Sequence, residues 1–189
     1  MAILVTGGAG YIGGHMVLAL LDAGEQVVVL DDLSTGFAWA VPSAATLVVG
    51  DISDEAKLRA IAAAHHIDAI AHFAAKIVVP ESVSDPLGYY LNNTVKARAL
   101  LEFAVRNGIG KFIFSSTAAV YGEPAINPIF EEAPAAPINP YGRSNSWSSG
   151  FSKMLLARMG FPMWRSATST SQAPIRKAVL ASPPLTRHI

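Results

Sequence analysis

Three glycines, at positions 7, 10 and 13 of Thr6-Gly7-Gly8-Ala9-Gly10-Tyr11-Ile12-Gly13-Gly14-His15, follow directly on the apolar run Ile3-Leu4-Val5. The chemistry open to such a turn is the holding of an anion. Without side chains it can be tight, its backbone can approach a pyrophosphate, and the free amides of the helix it opens point at negative charge. Taken alone, the pattern is also that of an ordinary strand-to-helix loop. The next apolar run, Val27-Val28-Val29-Leu30, ends in Asp31-Asp32, at about the 20-residue offset where a carboxylate accepts the hydroxyls of an adenosine ribose. No Lys or Arg precedes Lys57, so nothing in these two units can neutralise a ribose 2′-phosphate, which Asp31 would repel. NAD is therefore expected rather than NADP, with Asp31 as the ribose contact. Asp32, Asp51 and Ile52 stand at strand ends near the adenine, and each can equally be a solvated strand terminus.

Such a cradle needs strands to hold it and helices behind it. β-rich apolar runs lie at Ile3-Leu4-Val5, Val27 to Leu30, Leu47 to Val49, Ala69 to Phe73 and Phe112 to Phe114. Helical stretches alternate with them at His15 to Ala23, Glu55 to Ala64 and Leu87 to Val105. Short buried strands alternating with helices predict an α/β fold of the Rossmann type, a doubly wound parallel sheet.

The chain of 189 residues, 51% apolar and 15% charged, can close one hydrophobic core, which fits a single domain or part of a larger one and excludes disorder for most of its length. Fourteen basic against fourteen acidic side chains give no overall field for nucleic acid or an anionic membrane, so neither is expected as a partner. With no cysteine there is no disulfide framework, thiol nucleophile or zinc-cysteine site. Met1 leads straight into the first strand without a basic leader or long apolar segment, and a cytoplasmic protein is expected. His65, His66 and His72 show no metal-ligand arrangement with carboxylates; they read as helix-end and core residues, and no metal is expected.

The even charge hides a break. Residues 1 to 144 hold all fourteen acids and eight Lys or Arg, whereas residues 145 to 189 hold six Lys or Arg and no acid. The tail is rich in Ser, Thr and Pro, with Ser152 to Met159 its one helical stretch, and little regular structure is expected of it. The expected division is a nucleotide-binding domain over 1–144 and an aberrant tail over 145–189.

Within the first part, further motifs follow the glycine turn in order: Leu30-Asp31-Asp32-Leu33-Ser34-Thr35-Gly36, His72-Phe73-Ala74-Ala75, Glu81-Ser82-Val83, Tyr89-Tyr90, Asn92-Asn93, Phe114 to Gly122, and Tyr141-Gly142-Arg143-Ser144. This series closely resembles the extended short-chain dehydrogenase/reductase family and, inside it, the UDP-glucose 4-epimerases (UDP-galactose 4-epimerases). The resemblance implies NAD contacts from Gly7, Gly10, Tyr11, Ile12, Gly13, Asp31, Asp32, Asp51 and Ile52, and from Phe73, Ala74, Ala75, Asn92 and Ser115. Phe73, Ala74, Ala75 and Asn92 lie in the segment that lines the nicotinamide end. It implies interconversion of UDP-galactose and UDP-glucose, with Tyr141 taking the proton of the sugar 4-hydroxyl while the C4 hydride passes to NAD and later returns to the other face of the 4-keto sugar. Thr117 would hydrogen-bond the reacting oxygen; read without the resemblance, it is a strand-end hydroxyl capping local backbone and Tyr141 a packing residue. Ala118-Ala119 stand where sugar-nucleotide dehydratases of the superfamily carry an acidic pair, and two methyl groups supply neither acid nor base for eliminating water. Family members commonly pair as homodimers through helices that include the one bearing this tyrosine.

Several positions depart from the pattern. Gly14 replaces a Ser and Asp32 an Asn; Ile77 stands where the family has a lysine, with Lys76 one position early and expected in solvent. Asn145 replaces the lysine of Tyr-x-x-x-Lys, and it carries no charge to favour a phenolate, so the chemistry is expected to be strongly impaired. The likeness ends there. A one-nucleotide deletion at codon 145 accounts for both facts: in the neighbouring frame, Asn145 to Gly150 can read Lys-Leu-Met-Val-Glu-Trp, and Met163 to Pro174 Tyr-Val-Ala-Leu-Arg-Tyr-Phe-Asn-Val-Ala-Gly-Ala. The fold is then expected to stop before its last strand and its nucleotide-sugar domain, leaving an apolar sheet edge bare, and pairing is not expected of a helix rewritten after Ser144. The alternatives are an epimerase for another nucleotide sugar and a catalytically dead NAD-binding fragment.

Overall fold

Strand β1 (Ala2–Thr6) is buried at all five positions, as a strand covered on both faces must be. Its neighbours in the computed structural model, which describes residues 1–130, 132–158 and 163–168, are β2 (Gln26–Asp31) on one side and β4 (Ile67–His72) on the other. With β3 (Thr46–Val49), β5 (Lys111–Thr117) and β6 (Met163–Thr168), they form one parallel sheet in the order β3-β2-β1-β4-β5-β6. Helices α1 (Tyr11–Asp22) and α2 (Glu55–Ala64) follow β1 and β3. The short helices α3 (Val79–Ser84) and α4 (Pro86–Tyr90), a π-turn at Leu91–Lys96 and α5 (Ala97–Arg106) connect β4 to β5. This is the expected Rossmann-type architecture, and the chain changes direction across the sheet between β1 and β4, where a crevice opens at the carboxyl ends of the strands.

The period of two along each strand divides the core into two layers. Leu4, Leu30, Ile70 and Phe112 pack with Leu58 and Ile61 of α2 and Leu100 and Leu101 of α5. Ile3, Val5, Val27 and Val29 pack with Met16, Val17 and Leu20 of α1 on the opposite face. Helix α1 begins at Tyr11, four residues earlier than the apolar pattern predicts, and Gly10 caps it without a side-chain bond.

Two expectations for the C-terminal part are corrected. Helix α6 (Pro140–Arg158) runs through the composition break at 144/145 without interruption. Its first turns bury Ser144, Asn145, Ser148 and Ser149, small polar residues whose hydrogen bonds all find partners, so tertiary packing maintains a helix that periodicity does not announce. The sheet also does not stop before its last strand: β6 pairs with β5 from Phe112↔Met163 to Thr117↔Thr168. An open β5 edge would present unpaired N–H and C=O groups, and a strand arriving after a helix satisfies them. Residues 169–189, also expected to be irregular, lie outside the described residues.

Candidate nucleotide-binding and catalytic site

The glycine turn is built so tightly that side chains are excluded. Gly7 has φ +72°, and a Cβ there would lie 2.6 Å from the Ala74 nitrogen; at Gly13 it would lie 2.1 Å from the Gly7 carbonyl oxygen. The turn is tied to its neighbours by Gly7 N–H donating to the Leu30 carbonyl (3.0 Å) and Phe73 N–H to that of Thr6 (2.9 Å). Gly10 N–H donates to the Gly7 carbonyl at 3.2 Å. Tyr11 and Ile12 stand exposed at the mouth of α1, whose first turn contains no acidic residue to repel an anion.

Asp31 is buried at the end of β2 and serves the turn directly. Its Oδ2 accepts from Ala9 N–H (3.0 Å) and its Oδ1 from Leu33 N–H (2.9 Å), which leaves each oxygen a lone pair for a further donor. Leu33 holds φ +59°, a left-handed conformation costly for a branched side chain, immediately beside this carboxylate. Asp32 is exposed and engaged locally, accepting from Ser34 N–H (2.9 Å) and Oγ (2.6 Å). Ile52 is buried, whereas Asp51 is half-buried and paired: Oδ1 accepts from Ser53 N–H (2.8 Å) and Oγ (2.6 Å), and Oδ2 from the Lys96 ammonium. Burial opposes ionisation of Asp51, yet Lys96 and Ser53 together outweigh it and hold the carboxyl below its usual range. Lys96 brings a cation beside Asp51 from 45 residues away, which the absence of basic residues before Lys57 does not foretell.

On the other side of the crevice, Asn139 accepts from Gly142 N–H at 2.8 Å and starts α6 at Pro140. Gly142 allows the helix to rest on the turn after β5, since a Cβ there would lie 2.4 Å from the Ala119 carbonyl oxygen. The same Ala119 donates its N–H to Thr117 Oγ1 at 3.2 Å, so Tyr141 and Thr117 stand at one end of the sheet, linked through a single residue. The hydroxyl therefore does cap local backbone, and as an acceptor there it retains its own proton to donate. Tyr141 is half-buried, its ring edge-on to that of Tyr89 at 6.4 Å. Burial pushes the Tyr89 phenol up to about 12, helped by its hydrogen bond to Glu81.

Asn145 is buried and donates to the backbone carbonyl of Tyr141 (3.0 Å) rather than to the phenol. Lys76, expected in solvent, is instead half-buried and pairs with Glu81 (3.1 Å) above the Tyr89 ring. Ala74 and Phe73 pack against the glycine turn, Ala75 is exposed, Asn92 donates to Asn93 Oδ1 (3.0 Å), and Ser115 is half-buried on β5. Ser116 receives a hydrogen bond from Ser149 at 3.2 Å and is structural. His72 is fully buried, its Nδ1 2.6 Å from Thr6 Oγ1, and burial lowers its pKa to about 4. No group of three His, Cys, Asp or Glu among the described residues is arranged to hold a metal.

Strand order and glycine turn together define a Rossmann-type domain with a side-chain-free turn at its switch point. The chain belongs to the NAD dependent epimerase/dehydratase family, whose model matches residues 3–147. It is 56% identical over 142 residues to a UDP-glucose 4-epimerase of Azospirillum brasilense, covering 75% of this chain and 41% of that protein. The corresponding enzyme of Halalkalibacterium halodurans is 52% identical over 144 residues, covering 76% and 43%. Among solved structures, the UDP-Glc/GlcNAc 4-epimerase of Campylobacter jejuni superposes with TM-score 0.81 at 42% identity, over 87% of this chain and 52% of that one. The Brucella ovis UDP-glucose 4-epimerase, solved in complex with NAD, gives TM-score 0.83 at 38% identity, over 87% and 50%. The chain thus spans less than half the length of these curated relatives.

Proposed function

We propose that this chain is the cofactor-binding half of an NAD-dependent 4-epimerase that interconverts UDP-galactose and UDP-glucose. The observation that carries the reading is the backbone cradle at Gly7 and Gly13, closed to any side chain and tied to the Asp31 carboxylate through Ala9 N–H. These residues fit the cofactor's pyrophosphate and adenosine ribose, with Phe73, Ala74 and Asn92 toward the nicotinamide. When bound, NAD would accept a hydride and give it back. The chain's own contribution is proton handling and placement. Tyr141 is positioned to take the proton of a sugar hydroxyl and return it, while Thr117 donates to the same oxygen and holds it near the phenol. Ala118 and Ala119 offer no second acid or base, which favours epimerisation over dehydration.

One observation supports a second reading, that of an NAD-binding fragment without catalysis: Asn145 spends its amide on a backbone carbonyl and brings no charge to Tyr141. Incubation with UDP-galactose and NAD, beside a reconstructed full-length chain carrying lysine at 145, separates the two. UDP-glucose from both chains at similar rates supports catalysis by the short chain. Product from the reconstructed chain alone supports the fragment, and product from neither removes this substrate; a different nucleotide sugar would then be tried.

A homodimer through the helix that carries Tyr141 is not part of the proposal, because that helix departs from the family after Ser144; Leu87, Leu91 and Val95 nonetheless stand exposed across α4 and the π-turn. A cytoplasmic location accords with the lack of cysteine. No helix among the described residues is long and apolar enough to cross a membrane.

A further inference from the structure

Two aromatic rings stand in solvent beside the glycine turn. Phe37 is 58% and Trp39 82% exposed, and their rings stack with centroids 5.5 Å apart and planes inclined by 29°. Large apolar side chains left together in water mark a surface that a ligand or partner covers. The loop that carries this pair is fixed against the cradle. It leaves β2 through Leu33, whose N–H donates to Asp31 Oδ1, and returns so closely at Gly36 that a Cβ there would lie 2.8 Å from that of Ala9. Phe37 N–H then donates to the Ala9 carbonyl (3.2 Å), while Ala9 N–H donates to Asp31 Oδ2 (3.0 Å). Two hydrogen bonds through a single residue thus connect Phe37 to the carboxylate proposed for the ribose. After a 3-10 turn at Ala38–Ala40, Val41 packs into the α1 layer of the core, so the segment is anchored at both ends.

From this geometry we infer that Phe37 and Trp39 form an apolar wall of the adenosine-ribose site, one that packs on the bound ribose and rejects a 2′-phosphate by a means separate from the charge of Asp31. The inference rests on the NAD reading above and deepens it at the same site. A 2′-phosphate needs cations or water around it, and a stacked aromatic pair supplies neither. No residue from Asp32 to Ala40 is Lys or Arg, so the loop has no cation to offer in their place. A ribose hydroxyl, by contrast, is held by Asp31 while the sugar's apolar edge covers the rings.

The test compares NAD with NADP by titration calorimetry on protein freed of nucleotide. Both side chains are exposed, so Phe37→Ala, Phe37→Arg and Trp39→Phe leave the core intact. Phe37→Ala should weaken NAD binding about fivefold or more through the lost apolar cover. Phe37→Arg, whose guanidinium can pair with a phosphate, should raise NADP affinity at least about tenfold. Tryptophan emission reads the placement directly. ADP-ribose, which shares the adenosine half and lacks the nicotinamide, should shift the emission to the blue as Trp39 loses water, and Trp39→Phe should abolish the shift. Unchanged NAD affinity in Phe37→Ala, unchanged NADP affinity in Phe37→Arg, or an emission shift that is absent or survives Trp39→Phe would overturn the wall. An unaltered chain that binds neither dinucleotide would overturn the cofactor reading itself, a result distinct from the others.

Discussion

At the scale of single residues, two positions permit sharp tests. A methyl group at Gly13 would meet the Gly7 carbonyl at 2.1 Å, so Gly13→Ala must open the turn. Titration calorimetry should show NAD affinity weakened at least about tenfold, because the pyrophosphate loses its backbone donors. His72 is buried and neutral in the native state, with burial lowering its pKa to about 4 from the usual 6.5. The unfolded chain therefore binds a proton that the folded chain refuses between these values. The stability this residue contributes is complete above pH 6.5 and is lost as pH falls toward 4. Urea unfolding at pH 7 and pH 4.5 should differ by about 2–3 kcal/mol from this source, and His72→Gln should remove that part of the slope. Much of the residue scale was legible in sequence: the glycine turn, Asp31 and Tyr141 are marked by spacing or motif. Asn93's clamp on Lys76 and Lys96's hold on Asp51 were not, since each joins segments separated by 17 and 45 positions, and no local pattern encodes that closeness.

At the scale of elements, α6 docks through an absence. Gly142 lies against the Ala119 carbonyl, and Gly142→Ala would insert a methyl group at 2.4 Å from that oxygen. The helix must then shift away from the end of β5, at a cost of about 1–3 kcal/mol, visible as a lower thermal midpoint. Thr117 and Tyr141 would separate with it. Strands β1 to β5 were readable because each is a short apolar run flanked by turn residues, whereas β6 was not expected. Of α6 only the stretch from Ser152 was legible; its first turns were not, because Ser148, Ser149 and their neighbours carry no apolar stripe and are buried by hydrogen bonds to Asn93 and Ser116 instead. The start of α1 was missed by four residues for a related reason: its first turn faces the crevice rather than the core.

At the scale of the whole molecule, two matters extend beyond the site. With its tyrosine helix rewritten after Ser144, this chain should sediment as a monomer although Leu87, Leu91 and Val95 stand exposed, whereas a reconstructed chain that keeps the family pattern should sediment as a dimer. The break in acid content after residue 144 leads to a prediction about the gene. Restoring one nucleotide at codon 145 should recover the lysine of Tyr-x-x-x-Lys and the reading Tyr-Val-Ala-Leu-Arg-Tyr over the segment that forms β6. Coding DNA in which no single-base change restores that frame would refute it.

The alternation of strands β1 to β5 with helices, the position of the glycine turn and the acid at the end of β2 were determined by sequence alone, because each depends on local periodicity, on glycine's freedom or on a fixed offset. Tertiary structure decided which distant groups meet. It placed α6 on Ala119, closed the β5 edge with β6, and gave Asn145 a backbone carbonyl instead of the Tyr141 phenol. Such meetings follow from how layers pack, and packing depends on the whole chain at once.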